Sequence, residues 1–205
     1  MNKTRIAVMV SGGGTNLQAL INAEKSGIIK SGKIVLVLSD NDKAYALTRA
    51  KNADISTEVV LKKDCASKED FENKIISILE SYNVDLIVLA GFMKILSSEF
   101  TLRFKDRIIN VHPSLIPSFS GKGFYGLKVH EAALEKGVKV TGATVHLVNE
   151  IPDGGKIILQ KAVEVRDGDT AEILQKRVME LAEWIILPEA TEKVSYEILK
   201  NKELL

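Results

Sequence analysis

A chain of 205 residues, 45% hydrophobic and 27% charged with a formal net charge of +1, can bury a full core and lacks the basic footprint of a nucleic-acid binder. One cysteine, Cys65, and three histidines, His112, His130 and His146, supply neither a disulfide framework nor a zinc cluster, so no metal is expected and a reducing, cytoplasmic setting is. The apolar run RIAVMV that follows Met1, Asn2 and Lys3 is too short for a secretory leader or a membrane span, so neither export nor a membrane partner is expected.

That run, at 5–10, reads as a strand and TNLQALINAEKSG after it as a helix. KIVLVLS at 33–39 precedes the helical AYALTRAKNA, TEVVL at 57–61 precedes KEDFENKIISILESYN, and DLIVLAG at 85–91 precedes ILSSEFTLRF. Short β-branched runs alternating with segments of helical period are stacked βαβ units. DLIVLA has no polar alternation after its first residue, as a strand buried on both faces of a parallel sheet requires. The spacing therefore predicts an α/β fold, a Rossmann-like, doubly wound and mostly parallel sheet. RIINV at 107–111 adds a fifth strand. KVTGATVHLVN and KIILQKAVEV are separated only by the turn-rich EIPDGG, too short for a parallel crossover, so they pair as an antiparallel hairpin. TAEILQKRVMELAEWIILPEATEKVSYEIL reads as a long terminal helix, with Thr170 as N-cap and Pro188 bending or breaking it.

The first chemical feature, Ser11-Gly12-Gly13-Gly14-Thr15-Asn16, lies between strand one and helix one. In an open α/β sheet this is the carboxyl edge, where glycines let backbone N–H groups converge on an anion at a helix N-terminus. A phosphate is the natural ligand. A Walker loop is excluded, because Thr15-Asn16 stands where Lys-Ser or Lys-Thr is needed. The dinucleotide fingerprint half-fits: Gly12, Gly14 and Asp40 are suitably spaced, but Leu17 occupies the third glycine position. A plain turn with Thr15 or Asn16 as helix cap is the ligand-free alternative.

The second feature is Asn110-Val111-His112-Pro113-Ser114. Pro113 ends strand five and holds His112 extended at its edge. Residues two apart on a strand share a face, so Asn110 and His112 can address one atom. An amide and an imidazolium together suit the negative oxygen of a tetrahedral intermediate, where losing one donor raises the barrier by about 3–4 kcal/mol. A strand-end histidine also serves as a simple loop anchor. Asp153, in Ile151-Pro152-Asp153-Gly154-Gly155, is the candidate carboxylate. Within a few ångströms of His112 it favours the charged ring and brings an imidazolium into the neutral pH range. Pro-Asp-Gly is equally ordinary turn chemistry, so proximity decides between the two. There is no G-x-S-x-G elbow, and Ser114 follows a proline away from the strand, so no covalent nucleophile is expected. Positioning two bound substrates, one of which supplies the attacking atom, suits this set of residues.

SGGGTNLQ at 11–18, LAGFMKIL at 89–96, INVHPSLIP at 109–117, GATVH at 142–146 and DGGKIILQ at 153–160 occur in this order. Together they resemble the phosphoribosylglycinamide formyltransferases of purine synthesis, a folate-dependent formyltransferase family. The resemblance implies transfer of a formyl group from 10-formyltetrahydrofolate, a co-substrate rather than a tightly bound cofactor, to the amino group of 5-phosphoribosylglycinamide. By that similarity His112 is proton donor and oxyanion partner, Asn110 the second donor, and Asp153 the group that raises the histidine pKa and relays protons. Gly14, Thr15 and Asn16 match the family's substrate phosphate site. Met93, Lys94, Ile95 and Leu96 match one wall of the folate pocket, and Asn149, Glu150, Ile151 and Pro152 the other. Lys68 and Lys94 stand where many members carry arginine, keeping charge but losing the planar fork. Glu183 matches a substrate-binding carboxylate, although the interval from Arg177 to Pro188 runs one residue longer than the resemblance implies.

The resemblance also implies a single formyltransferase domain over residues 1–205, with 1–105 as its phosphate-binding half and 106–205 as its catalytic and folate-binding half. His146 and Thr144 are read as supporting residues, His130 as an ordinary helix residue, and SGKGFYG at 120–126 as a flap over the substrate. Small-molecule substrates are the expected partners, with the chain a monomer or homodimer. The alternatives are hydrolysis of 10-formyltetrahydrofolate and non-catalytic binding of a nucleotide phosphate. Deformylases carry an extra N-terminal regulatory domain and methionyl-tRNA formyltransferases an extra C-terminal RNA-binding domain, and this chain is expected to hold neither.

Overall fold

The computed structural model describes residues 3–203. Met1 and Asn2, from which the N-terminus was read, and the last two residues lie outside the described residues. The elements run β1 (Thr4–Val10), α1 (Thr15–Ser26), β2 (Gly32–Ser39), α2 (Tyr45–Lys51), β3 (Ser56–Val59), α3 (Lys68–Ser81), β4 (Leu86–Leu89), α4 (Ser98–Arg103) and β5 (Ile108–His112). They continue with α5 (Leu127–Lys136), β6 (Val140–Leu147), β7 (Ile157–Glu164), α6 (Ala171–Val178), a π-helical turn (Met179–Glu183) and α7 (Trp184–Glu203).

Among the described residues the strands form one sheet in the order β3-β2-β1-β4-β5-β6-β7. β1 to β5 pair in parallel, while β6 runs antiparallel to β5, and β7 to β6. This is the doubly wound, mostly parallel sheet expected, with its antiparallel hairpin and terminal helix. β1 shows why the central strands carry no polar alternation. Ile6, Val8 and Val10 enter a core layer with Leu17, Leu20 and Leu187, while Ala7 and Met9 enter the opposite layer with Phe71, Ile75 and Phe100. From β1 the chain winds outward to β2 and β3, then returns across β1 to β4. The loops after β1 and β4 diverge at that switch point and open a crevice.

Local chemistry sets the helix ends. Ser67, Ser97 and Thr170 each accept a backbone N–H three residues on, capping α3, α4 and α6. Pro188 does not end the terminal helix. It lies inside α7, and the departure from α-geometry falls just upstream, in the π turn. Proline removes a hydrogen bond to, and crowds, the turn that precedes it, which is where the irregularity sits. A π turn also takes up one residue more than an α turn.

Candidate active site

The switch-point crevice leads into a cavity of about 790 Å³ along the C-terminal ends of β4 and β5. β5 and β6 supply its chemistry. Their antiparallel register sets Asn110 opposite His146 and His112 opposite Thr144, so two pairs of residues, each spaced by two, project from one face. The loop between β6 and β7 returns Asp153 to this face. Gly155 permits that path, because a Cβ there would lie 1.7 Å from the Leu147 carbonyl oxygen. Asp153 itself has φ 56°, a left-handed conformation that aspartate tolerates.

Asp153 is the hub of the cluster. Its Oδ2 lies 3.5 Å from His112 Nδ1 and accepts the Gly121 backbone N–H at 2.8 Å, while its Oδ1 lies 3.5 Å from His146 Nε2. His146 Nδ1 is 2.8 Å from the Leu147 carbonyl and must carry the hydrogen there, so in the neutral ring Nε2 presents a lone pair. Asn110 Nδ2 donates to that nitrogen at 3.3 Å, which orients the amide and leaves its second hydrogen free. His112 Nε2 likewise lies 2.8 Å from the Phe119 carbonyl and acts as a donor. Thr144 shares that face but does not line the cavity. Its hydroxyl donates to Ser114 O at 2.7 Å and accepts from Ile116 N and Gln160 Nε2, holding the loop after β5 in place.

The charge balance corrects one expectation. Asp153 does favour a charged His112, but burial of the ring outweighs it and His146 adds repulsion, so the His112 pKa falls below the ordinary imidazole value. The resting ring is therefore neutral. For Asp153, burial pushes the pKa up, yet the adjacent His146 and His112 rings, each able to take up a proton, and the Gly121 N–H together leave it below the usual carboxylate range.

Met93, Lys94, Ile95 and Leu96 line one end of the cavity, facing Asn149, Glu150, Ile151 and Pro152. Two contacts hold the first of these loops that no sequence signal announces. Ser11 Oγ accepts the Met93 N–H at 2.9 Å, and the buried Glu72 carboxylate accepts the N–H of Ser97 at 2.9 Å and bonds its hydroxyl. The two lysines differ in placement. Lys68 does not line the cavity and pairs with Glu72 at 3.6 Å. Lys94 lines it, but its ammonium lies 3.3 Å from Asp40. That contact also occupies the carboxylate a dinucleotide ribose would require.

At the other end Asn16, Gln175, Met179 and Glu183 form the wall. Asn16 Nδ2 donates to Glu183 Oε2 at 2.7 Å, and burial raises the Glu183 pKa against that bond. Neither Thr15 nor Asn16 caps α1. The cap position is Gly14, with φ 72° and no side-chain bond, so the first-turn N–H groups lack a side-chain partner. Gly14 is required, since its Cβ would sit 2.6 Å from that of Ala46. Gly14 and Thr15 lie outside the cavity wall, and the Thr15 hydroxyl faces the Met179 sulfur at 3.9 Å. His130 is no ordinary helix residue: it is fully buried in the cavity wall. Its neighbours on α5 carry no pattern that announces this.

Among the described residues no helix is long and apolar enough to cross a membrane. Residues 4–191 match the formyl transferase family. The chain is 45% identical over 176 residues to a phosphoribosylglycinamide formyltransferase of Haemophilus influenzae, covering 86% of this chain and 80% of that one. It is 45% identical to a trifunctional purine biosynthetic protein adenosine-3 of Gallus gallus, covering 95% of this chain but 19% of the relative, so it spans about a fifth of that protein's length. The crystal structure of glycinamide ribonucleotide transformylase 1 from Symbiobacterium toebii superposes with a TM-score of 0.89 at 40% identity, covering 95% of this chain and 89% of that one.

Proposed function

The chain belongs to the formyl transferase family, and from that premise we propose that it transfers a formyl group from 10-formyltetrahydrofolate to the amino group of 5-phosphoribosylglycinamide, a step of purine synthesis. The observation that carries this reading is the gathering of Asn110, His112, His146 and Asp153 at one cavity wall, with donors aimed from two directions. Relatives named for the same reaction support it. The folate lies between the loops at 93–96 and 149–152, and the phosphate meets the first-turn N–H groups of α1 at Gly14, Thr15 and Asn16. Residues 1–205 act as one domain, with the phosphate end in 1–105 and the folate and the chemistry in 106–205. The setting is the cytoplasm.

The substrate amine attacks the formyl carbon, and the carbonyl electrons move to oxygen. The free hydrogen of Asn110 Nδ2 and the Nε2–H of His112, released from the Phe119 carbonyl, donate to that oxygen. Asp153, ionised at neutral pH, takes the proton that the attacking nitrogen must lose and passes it to His112 Nδ1, whose basicity rises as the oxyanion forms beside the ring. The imidazolium then protonates the departing folate nitrogen as the old C–N bond breaks and the carbonyl reforms. One proton leaves the amine and one reaches the folate, so none is consumed. A neutral resting ring suits this relay, because it has room for the proton.

Mixing the protein with both compounds and following folate absorbance tests the reading. Transfer requires both; loss of the formyl group with the folate alone marks a hydrolase, and no change marks a binding protein. Asp153→Asn is expected to keep both binding constants and to lower turnover at least tenfold; unchanged turnover removes Asp153 from the relay.

A further inference from the structure

His130 has no solvent-accessible surface, and neither ring nitrogen has a hydrogen-bond partner among the described residues. Asn16 Oδ1, in the same cavity wall, is buried and unpartnered too. Buried polar atoms without partners are uncommon, and a ring that only filled space would be better served by carbon in place of nitrogen. His130 stands on α5, which packs against α6; α6 carries Gln175 and leads into Met179 and Glu183. It also lies close enough to His112 to feel that ring's charge. It therefore shares one cavity wall with the catalytic cluster and with the pair formed by Asn16 and Glu183.

The chemistry of the ring narrows what it can meet. Burial, with repulsion from His112 added, drives its pKa down to about 4, so at neutral pH it offers one N–H and one lone pair. A phosphate asks for donors only, and so does a formyl oxygen. A hydroxyl gives and accepts one bond each, which matches a neutral imidazole. Between an amine at His112 and a phosphate at the start of α1, the part of the substrate that carries hydroxyls is the sugar.

We propose that His130 is a substrate-binding residue that pairs with a hydroxyl of the ribosyl group, completing the hydrogen bonds the protein leaves open in this wall. This rests on the activity proposed above. The segment that leads into α5 must yield for the sugar to reach the ring. Lys122, Gly123 and Tyr125 are exposed there, and Gly121, Gly123 and Gly126 have φ of 86°, 98° and 56°.

The test compares 5-phosphoribosylglycinamide with its 2′-deoxy and 3′-deoxy analogues, by calorimetric binding and by kcat/KM. The wild-type protein is expected to lose at least tenfold for one of the two analogues. His130→Phe should lose at least tenfold for the parent compound, lose nothing further for that analogue, and move the folate KM less than twofold. The proposal is overturned if His130→Phe binds the parent as tightly as wild type, or if it weakens all three sugars equally, as a structural defect would. Should His130→Phe fail to fold, His130→Leu, which likewise has neither donor nor acceptor, carries the same comparison. A wild-type protein that neither binds nor formylates the parent brings down the activity reading, and this proposal with it. A wild-type protein that does both, beside a variant that binds normally, brings down this proposal alone.

Discussion

The two ends of the cavity satisfy their polar groups differently. Around Asp153 the protein supplies the contacts itself: Gly121 N–H, His112 and His146 surround the carboxylate, and His146 in turn orients Asn110. Around His130 it does not, for the ring nitrogens and Asn16 Oδ1 have no partner among the described residues. Groups that stabilise a developing charge must stand in place beforehand, since reorganising them during reaction forfeits their benefit. Groups that only hold the substrate can wait for it, and a buried site left short of a partner discriminates strongly against molecules that cannot provide one.

Three measurements press on this contrast. The largest effect is expected at the organised end: Asn110→Ala removes an oxyanion donor and should lower kcat by roughly a hundredfold or more, with both KM values nearly unchanged. A rise in KM with kcat preserved would turn Asn110 into a binding residue and erase the distinction. The second concerns pH and stability. A histidine at about 4 when folded and about 6.5 when unfolded binds fewer protons in the native state, so the stability it contributes is present above pH 6.5 and is lost as pH falls toward 4. The span is roughly 3 kcal/mol at most. Subtracting the stability curve of His130→Phe from that of wild type, by denaturant unfolding at each pH, should isolate that slope, and a flat difference contradicts a neutral, buried ring. His112 contributes with the same sign, its pKa also being depressed, while Glu183, raised by burial, contributes with the opposite sign. The smallest effect is expected outside both ends: Lys68→Met should change the folate KM less than twofold, because its ammonium answers Glu72. A tenfold change restores the role that the family resemblance assigned it.

Much of the molecule was legible before any coordinates. The β-branched runs marked every strand to within a few residues, because two-sided burial leaves so strong a compositional trace. The turn at 150–155 implied the antiparallel hairpin, and the spacing of Asn110 and His112 implied a shared face. What each of Lys68, Lys94 and Pro188 touches was out of reach for one reason: it depends on Glu72, Asp40 and the π turn upstream, none of which chain position reveals. His130 looked like any residue in a short amphipathic helix, since whether α5 buries that ring against a cavity is settled by α6.

By itself the sequence determined the alternation of strands and helices, the glycine at the start of α1, and which side chains could bear the chemistry. Backbone sterics and the period of apolar residues are local, and local chemistry is written in neighbouring letters. The tertiary structure alone decided that Asp153 reaches both histidines, that His112 rests neutral rather than charged, and that His130 lies buried without a partner. Desolvation and Coulomb forces act through space, summed over groups brought together from strands, helices and loops far apart in the chain, and no single stretch of it contains that sum.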